Sequence, residues 1–350
     1  MKKNARSAQI SVRSPRHINA ILKPLTVALI AIGCISPALA VNQTWFGGTG
    51  DWGDSNKWSP AGVPGAGDLA IINAGTSTLS FAAVVNGLAL GGGTLTGTGN
   101  LTLSGGSIWT AGTQGGTGTT QFNGNLNISG DNNKFIGGGR VINTAGTTTW
   151  DGNTGGNNNY NRILNSGSGG TINNTGTWND SNAFATYIDG GIAFNNVGTY
   201  NKQGNTVTTL AGAFNNSATS TVNVNAGTLS IASNFANAGI INVDAGAIFQ
   251  VSATNFANTA TGVIGGNGTV ATPTSGLSNS GDIDPGNSIG HLTIDGDLRQ
   301  TSTGVLNFEL TSLTSFDLLT ITDDVTLGGE IAVWNLGYTP IIGDQKCPVI

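Results

Sequence analysis

The chain has 350 residues, 56 of them Gly, with 38% apolar and only 9% charged residues. It has no collagen-like glycine period, and its apolar content is too high for a chain unable to bury a core, which leaves a β-rich protein with very frequent turns. The formal net charge is −5, and no Lys or Arg cluster lies beyond residue 40, so nucleic acid is excluded as a partner.

Residues 1–40 read as a secretory signal peptide. Lys2, Lys3, Arg6, Arg13, Arg16 and Lys23 form a basic leader without any acidic residue, and the apolar run Leu25–Cys34 follows. Ala38-Leu39-Ala40 then offers small residues for cleavage. A run of this length is about half the roughly 20 residues that span a bilayer. Cleavage after Ala40 removes six of the 13 basic residues and none of the 18 acidic ones, leaving an acidic mature chain. Its single cysteine, Cys347, allows no internal disulfide, so stability must come from stacking.

Residues 41–76 are set apart by Trp45, Trp52 and Trp58. Such a cluster suits either a carbohydrate-stacking platform or the capped end of a repeat stack; the cap is the expectation here, because exposed β-edges recruit other chains. From residue 77 to about 290 the chain reads as repeats. Runs such as Leu79–Phe81, Val84–Leu90, Leu101–Leu103 and Leu126–Ile128 place apolar residues at spacing two, the pattern of half-buried strands. Gly-Gly, Asn-Gly and Gly-Thr pairs mark corners between them. The segment Asp151–Asn161 interrupts the spacing and reads as a loop bulging from one coil, the place expected to carry recognition.

The most regular stretch begins at Phe194. Phe194-x-Asn196, Phe214-x-Asn216, Phe235-x-Asn237, Phe256-x-Asn258 and Leu277-x-Asn279 recur at intervals of 20, 21, 21 and 21 residues. A fixed period in the low twenties predicts an all-β solenoid of about 21 residues and three short strands per coil, roughly 14 coils in all. The aromatic residues are expected to form a core column. The Asn residues are expected at corners, where Asn suits sharp turns, with their side chains stacked in a ladder.

Little points to catalysis. Asp282, Asp284, Asp295 and Asp297 are the best acidic candidates, but Asp284-Pro285-Gly286 and Asp295-Gly296 read as turns, as do Asp317 and Asp323-Asp324. The mature part has one histidine, His291, which argues against a nucleophilic triad, and lacks zinc-ligand spacing and a phosphate loop. No catalytic, cofactor or metal residue is expected.

Two regions carry a resemblance. Trp45-Phe46-Gly47-Gly48-Thr49-Gly50-Asp51-Trp52, with Asn56-Lys57-Trp58, Val63-Pro64-Gly65 and Asp68, is similar to the opening of bacterial passenger and adhesin-like proteins. Asn279 through Asp297, then Gly304–Leu310, Phe316–Leu319, Leu327–Gly329 and Gly337–Asp344, resembles the late passenger region of autotransporters. The resemblance implies a single-stranded right-handed parallel β-helix, with residues 291–350 as a C-terminal passenger-like β region that stops within a coil. It also implies export through the inner membrane, cell-surface or extracellular location, and a non-catalytic adhesin-type or structural role. The expected partners are an extracellular ligand (host surface, glycan or matrix) and an outer-membrane translocator not encoded in these residues. A β-helical polysaccharide lyase or hydrolase is the alternative.

Overall fold

The computed structural model describes residues 40–152, 161–286, 288–339 and 341–345. The expected signal segment up to Leu39, most of the Asp151–Asn161 loop and Cys347 lie outside the described residues.

Strands wind in the order face one, face two, face three, and each pairs in parallel with its counterpart one coil on. In the central repeats, face one is built from Phe214–Asn216, Phe235–Asn237, Phe256–Asn258 and Leu277–Asn279. Face two follows with Thr221–Val224, Ile240–Val243, Val263–Gly266 and Asp282–Pro285, and face three with Thr228–Ile231, Ile248–Val251, Thr269–Ala271 and His291–Asp295. Face one alone is a twelve-stranded sheet. The result is a parallel β-solenoid of about 12 turns with about 22 residues each.

That is fewer, longer coils than the 21-residue period alone implies, for two reasons. Ile142 pairs with Ile172 across the loop-bearing coil, and Leu306 pairs with Ile331 near the end, so these coils are longer than the repeat. Residues between Trp45 and Leu69 are spent on closing the first coil rather than on adding another.

The core is a narrow channel filled by alternate residues of every strand. One column runs Ile142, Ile172, Phe194, Phe214, Phe235, Phe256, Leu277 and Leu298, all buried. Neighbouring rings sit 5.5–5.9 Å apart: 5.9 Å for Phe194–Phe214, 5.5 Å for Phe214–Phe235 and 5.7 Å for Phe235–Phe256. No single coil closes this channel; each ring finds its contacts in the coils above and below.

At the N-terminal end, Asn42–Trp45 already pairs in parallel with Leu69–Ile72, so coil pairing reaches back into the segment expected to be only a cap. The short strand Trp58–Ser59 then turns back antiparallel onto Thr44 and Trp45 and covers that edge. Trp52 and Trp58 are wholly buried and Trp45 nearly so. Their rings meet edge to face, 5.1 Å between Trp45 and Trp58 and 4.8 Å between Trp52 and Trp58. Trp58 Nε1 donates to Trp52 O at 2.8 Å. With their faces inside the protein, these rings offer no stacking platform to a sugar.

One expected strand is absent. Leu79–Phe81 is a corner, because Leu79 and Ala83 are the inward positions and Phe81 is left 43% exposed.

Candidate functional site

The repeat asparagines are not at the corners themselves. Asn196, Asn216, Asn237, Asn258 and Asn279 each end a face-one strand, with the side chain buried inside the channel. None has a positive φ, so left-handed tolerance is not why Asn is there. Hydrogen bonding is. From Asn174 to Asn258, each Nδ2 donates to Oδ1 of the next coil: Asn174 to Asn196 at 2.9 Å, Asn196 to Asn216 at 2.9 Å, Asn216 to Asn237 at 2.8 Å, Asn237 to Asn258 at 2.9 Å and Asn258 to Asn279 at 2.9 Å. The second Nδ2 hydrogen reaches a backbone carbonyl at the start of face two, such as Thr221 O from Asn196 at 3.0 Å. One side chain thus links two coils and fixes the bend between two faces.

Two outward ladders run the opposite way. Asn215 donates to Asn195, Asn195 to Asn173, Asn173 to Asn143 and Asn143 to Gln121, at 2.7–3.0 Å. On face two, Asn242, Asn223, Asn201 and Asn179 repeat the arrangement at 2.9–3.0 Å. These outer amides satisfy one another along the stack.

The concave site nearest to chemistry lies in the face-two column two coils beyond the last ladder asparagine, since Asn242 pairs with Gly265 and Gly265 with Asp284. A hollow of about 270 Å³ is lined by Asp284, Pro285, Gly286, Ser288, Asn307, Glu309, Asp317 and Trp334. Asp284 occupies a strand and points outward, so it is not the turn residue expected from Asp-Pro-Gly; the positive φ values come after it, +88° at Gly286 and +105° at Ser288. Asn307 Nδ2 donates to Asp284 Oδ1 at 2.6 Å. Burial raises the Asp284 carboxyl above the usual range, the Asn307 bond opposes this, and the Asp282 and Glu309 charges add to it. Asp317 is buried and its carboxyl is also raised by burial. Both its oxygens are taken, Oδ1 by Gly290 N at 2.8 Å and Oδ2 by Glu309 N at 2.6 Å, so it clamps the loop after Gly286 to the next coil. Glu309 Oε2 is buried without a partner, and Trp334 stands 62% exposed at the rim.

Asp284 and Glu309 are therefore the pair with room to act: a carboxyl biased toward its protonated form beside one with a free oxygen. Asp282 lies outside this hollow. Asp295 and Asp297 fall elsewhere, with Asp323, in a second hollow of about 290 Å³. His291 is exposed, its Nε2 2.8 Å from Thr320 Oγ1. Among the described residues, no group of three or more His, Cys, Asp or Glu side chains is placed to hold a metal ion. Sequence reading gave no role to Asn307, Glu309 or Trp334. Their signal was the alternation around Leu306 and Phe308, which sends Asn307 and Glu309 outward together.

A second set of polar residues was also missed because they look like surface residues. Lys134, Asn161, Asn182, Asp180, Tyr200 and Lys202 are all buried. Asn161 Nδ2 donates to Asn182 Oδ1 at 2.6 Å, Asn182 Nδ2 to Asp180 Oδ1 at 2.9 Å, and Tyr200 OH to Asp180 Oδ2 at 3.1 Å. Burial, and then the Asp180 charge, raises the Tyr200 hydroxyl well above its ordinary value, while burial lowers Lys202 against the pull of Asp180. The one sequence signal is that Asp180 and Lys202 pair one coil apart, opposite charges in one column.

Compared with family models, with curated proteins and with solved structures, the chain matches none.

Proposed function

We propose that the chain is a non-catalytic, exported passenger of adhesin or structural type, displayed at or released from the surface of a Gram-negative cell. The observation that carries this reading is the long parallel stack, in which amide ladders inside and outside bind successive central coils to one another. Such a body spans roughly 55 Å at about 4.8 Å per coil. It keeps its geometry without disulfides, which suits a spacer that holds loops away from a membrane. The basic leader and the Ala38-Leu39-Ala40 site support export. The resemblance of Asn279–Asp297 and the segments after it to autotransporter passengers supports surface display. Expression of the full chain in a Gram-negative host tests the reading. The expected result is a processed protein beginning at Val41 and found outside the inner membrane; full-length protein retained in the cytoplasm overturns it.

A second reading, a polysaccharide-processing enzyme, is favoured by one observation: the raised Asp284 carboxyl beside the unpaired Glu309 oxygen and the exposed Trp334. Depolymerisation assays on acidic and neutral glycans distinguish the two. Turnover lost in Asp284→Asn and Glu309→Gln establishes the enzyme and removes the first reading.

A further inference from the structure

Lys134 is wholly buried, and its Nζ has four oxygens within hydrogen-bonding distance: Ser129 O at 2.6 Å, Asn132 O at 2.8 Å, Gly130 O at 3.1 Å and Asn161 Oδ1 at 2.5 Å. An ammonium has three hydrogens, so one acceptor is surplus. The nearest oxygen belongs to a side-chain amide, the one group in the cage whose carbon can take the amine with loss of ammonia and no break in the backbone.

That amide is held rigidly. Asn161 is wholly buried, with φ +52°, a left-handed conformation uncommon for a residue other than Gly. Its N–H donates to Asp131 O at 3.1 Å, and its carbonyl accepts from Trp150 Nε1 at 3.0 Å and Thr186 Oγ1 at 3.1 Å. Its Nδ2 is tied to Asn182 Oδ1. A Cβ at position 152 would stand 2.5 Å from Asn161 Cγ, so Gly152 is what admits the amide. The lysine strand is fixed as well: Lys134 N donates to Arg162 O at 2.8 Å, beside the parallel pairing of Lys134 with Ile163.

We propose that Lys134 and Asn161 form an intramolecular isopeptide bond. The lone pair of the neutral amine adds to Asn161 Cγ and makes the new C–N bond. The Cγ–Nδ2 bond then breaks, a proton from Nζ ends on Nδ2, and ammonia leaves. Nothing is oxidised or reduced, and no cofactor is consumed. Nucleophile and amide are prepositioned in a water-poor interior, the condition under which an intramolecular addition gains most.

The charged groups around the pair suit proton transfer. Burial pushes Lys134 down to about 7, so a neutral amine is present near neutral pH, and the charges of Asp131 and Asp151 oppose that shift. These two carboxylates are the negative charges that the amine feels. Asp180 stands behind Asn182 and does not face the amine directly. Arg162 points elsewhere, its guanidinium 4.3 Å over the Tyr187 ring. The bond would tie the coil at Lys134 to the far base of the inserted loop, at the point where the stack is interrupted. This inference does not depend on the functional reading above.

Intact-mass measurement of the purified, fully denatured chain tests it. The expected mass is lower than the sequence mass by one ammonia, and a tryptic digest yields Trp58–Arg140 joined to Val141–Arg162 through Lys134. Lys134→Arg, which keeps a cation but cannot form the amide under these conditions, restores the full mass, as does Asn161→Ala. Full mass in the wild-type chain overturns the proposal and leaves Lys134 an ammonium held by hydrogen bonds. An ammonia deficit that persists in Lys134→Arg, with no joined peptide, also overturns it and assigns the loss to a backbone succinimide. The wild-type digest decides the matter even where a variant fails to fold.

Discussion

Asn279 Nδ2 and Gln300 Oε1 face the same gap in the inner amide column, one coil apart, and neither has a hydrogen-bond partner. Gln300 otherwise copies the repeat asparagines. Its Nε2 donates to Gly304 O at 2.7 Å and Glu330 O at 2.8 Å, as Asn258 Nδ2 does to Gly262 O and Asp282 O at 3.0 Å each. The extra methylene of Gln carries its oxygen out of the column, so the ladder stops at Asn279. Gln300→Asn should extend it by one rung and raise stability by about 1 kcal/mol, the net worth of one hydrogen bond. Urea denaturation measures this; a loss of stability would mean that methylene packing outweighs the restored bond.

Asn237→Ala removes a rung from the middle instead. It leaves Asn216 Nδ2 short of an acceptor and Asn258 Oδ1 short of a donor, both buried. At about 1–3 kcal/mol per orphaned group, a loss of roughly 3 kcal/mol is expected. The outward Asn223→Ala should cost well under 1 kcal/mol, since water replaces the missing partner at a partly exposed site. Equal losses at the two sites in denaturant titrations would contradict the assignment of the inner ladder as the stronger link.

Phe235 and Phe256 are packed against each other and against Phe249, with centroids 5.6 Å from Phe235 and 5.9 Å from Phe256. Each truncation to Ala should cost about 3–5 kcal/mol. The double variant should lose less than the sum, because the two rings share one contact. A double-mutant cycle by chemical denaturation gives the coupling directly; near-neutral single variants would place the core elsewhere.

The acid hollow predicts a pH dependence. Asp284 and Asp317 hold their protons more tightly in the folded chain than in the unfolded one. The stability they contribute is therefore full below about pH 4 and is lost as pH rises through their folded-state values. Relative to the intrinsic exchange rate at each pH, the protection of Asp282–Pro285 and Val305–Ser312 should fall as the solution moves from pH 4 toward neutral. Asp284→Asn should flatten that slope and slow exchange at pH 7. An unchanged slope in the variant would assign the effect to Asp317 alone.

How much of this was legible beforehand differs by feature. The Phe-x-Asn spacing contained the solenoid, because one residue per coil must return to the same place for a column to form. The role of Asn was half legible. Stacking followed from the period, but whether the amide lay inside the channel or at the bend depended on which strand position it took, and spacing alone does not fix that. The Asp-Pro-Gly turn was misplaced by two residues: a parallel partner on either side keeps Asp284 in a strand, and the bend begins only at Gly286.

The sequence by itself determined the periodic architecture, the polar repeat, the tryptophan-rich opening and the absence of a disulfide framework. These are properties of composition and spacing, and they survive without coordinates. Only the tertiary structure decided which polar residues are buried. Lys134, Asn161, Asp180 and Lys202 sit in runs of Asn, Asp and Gly that read as surface. Winding the chain brings residues from successive coils to about 5 Å of each other, and that proximity, set by coil length and the inserted loop, is what puts a lysine against an asparagine side chain.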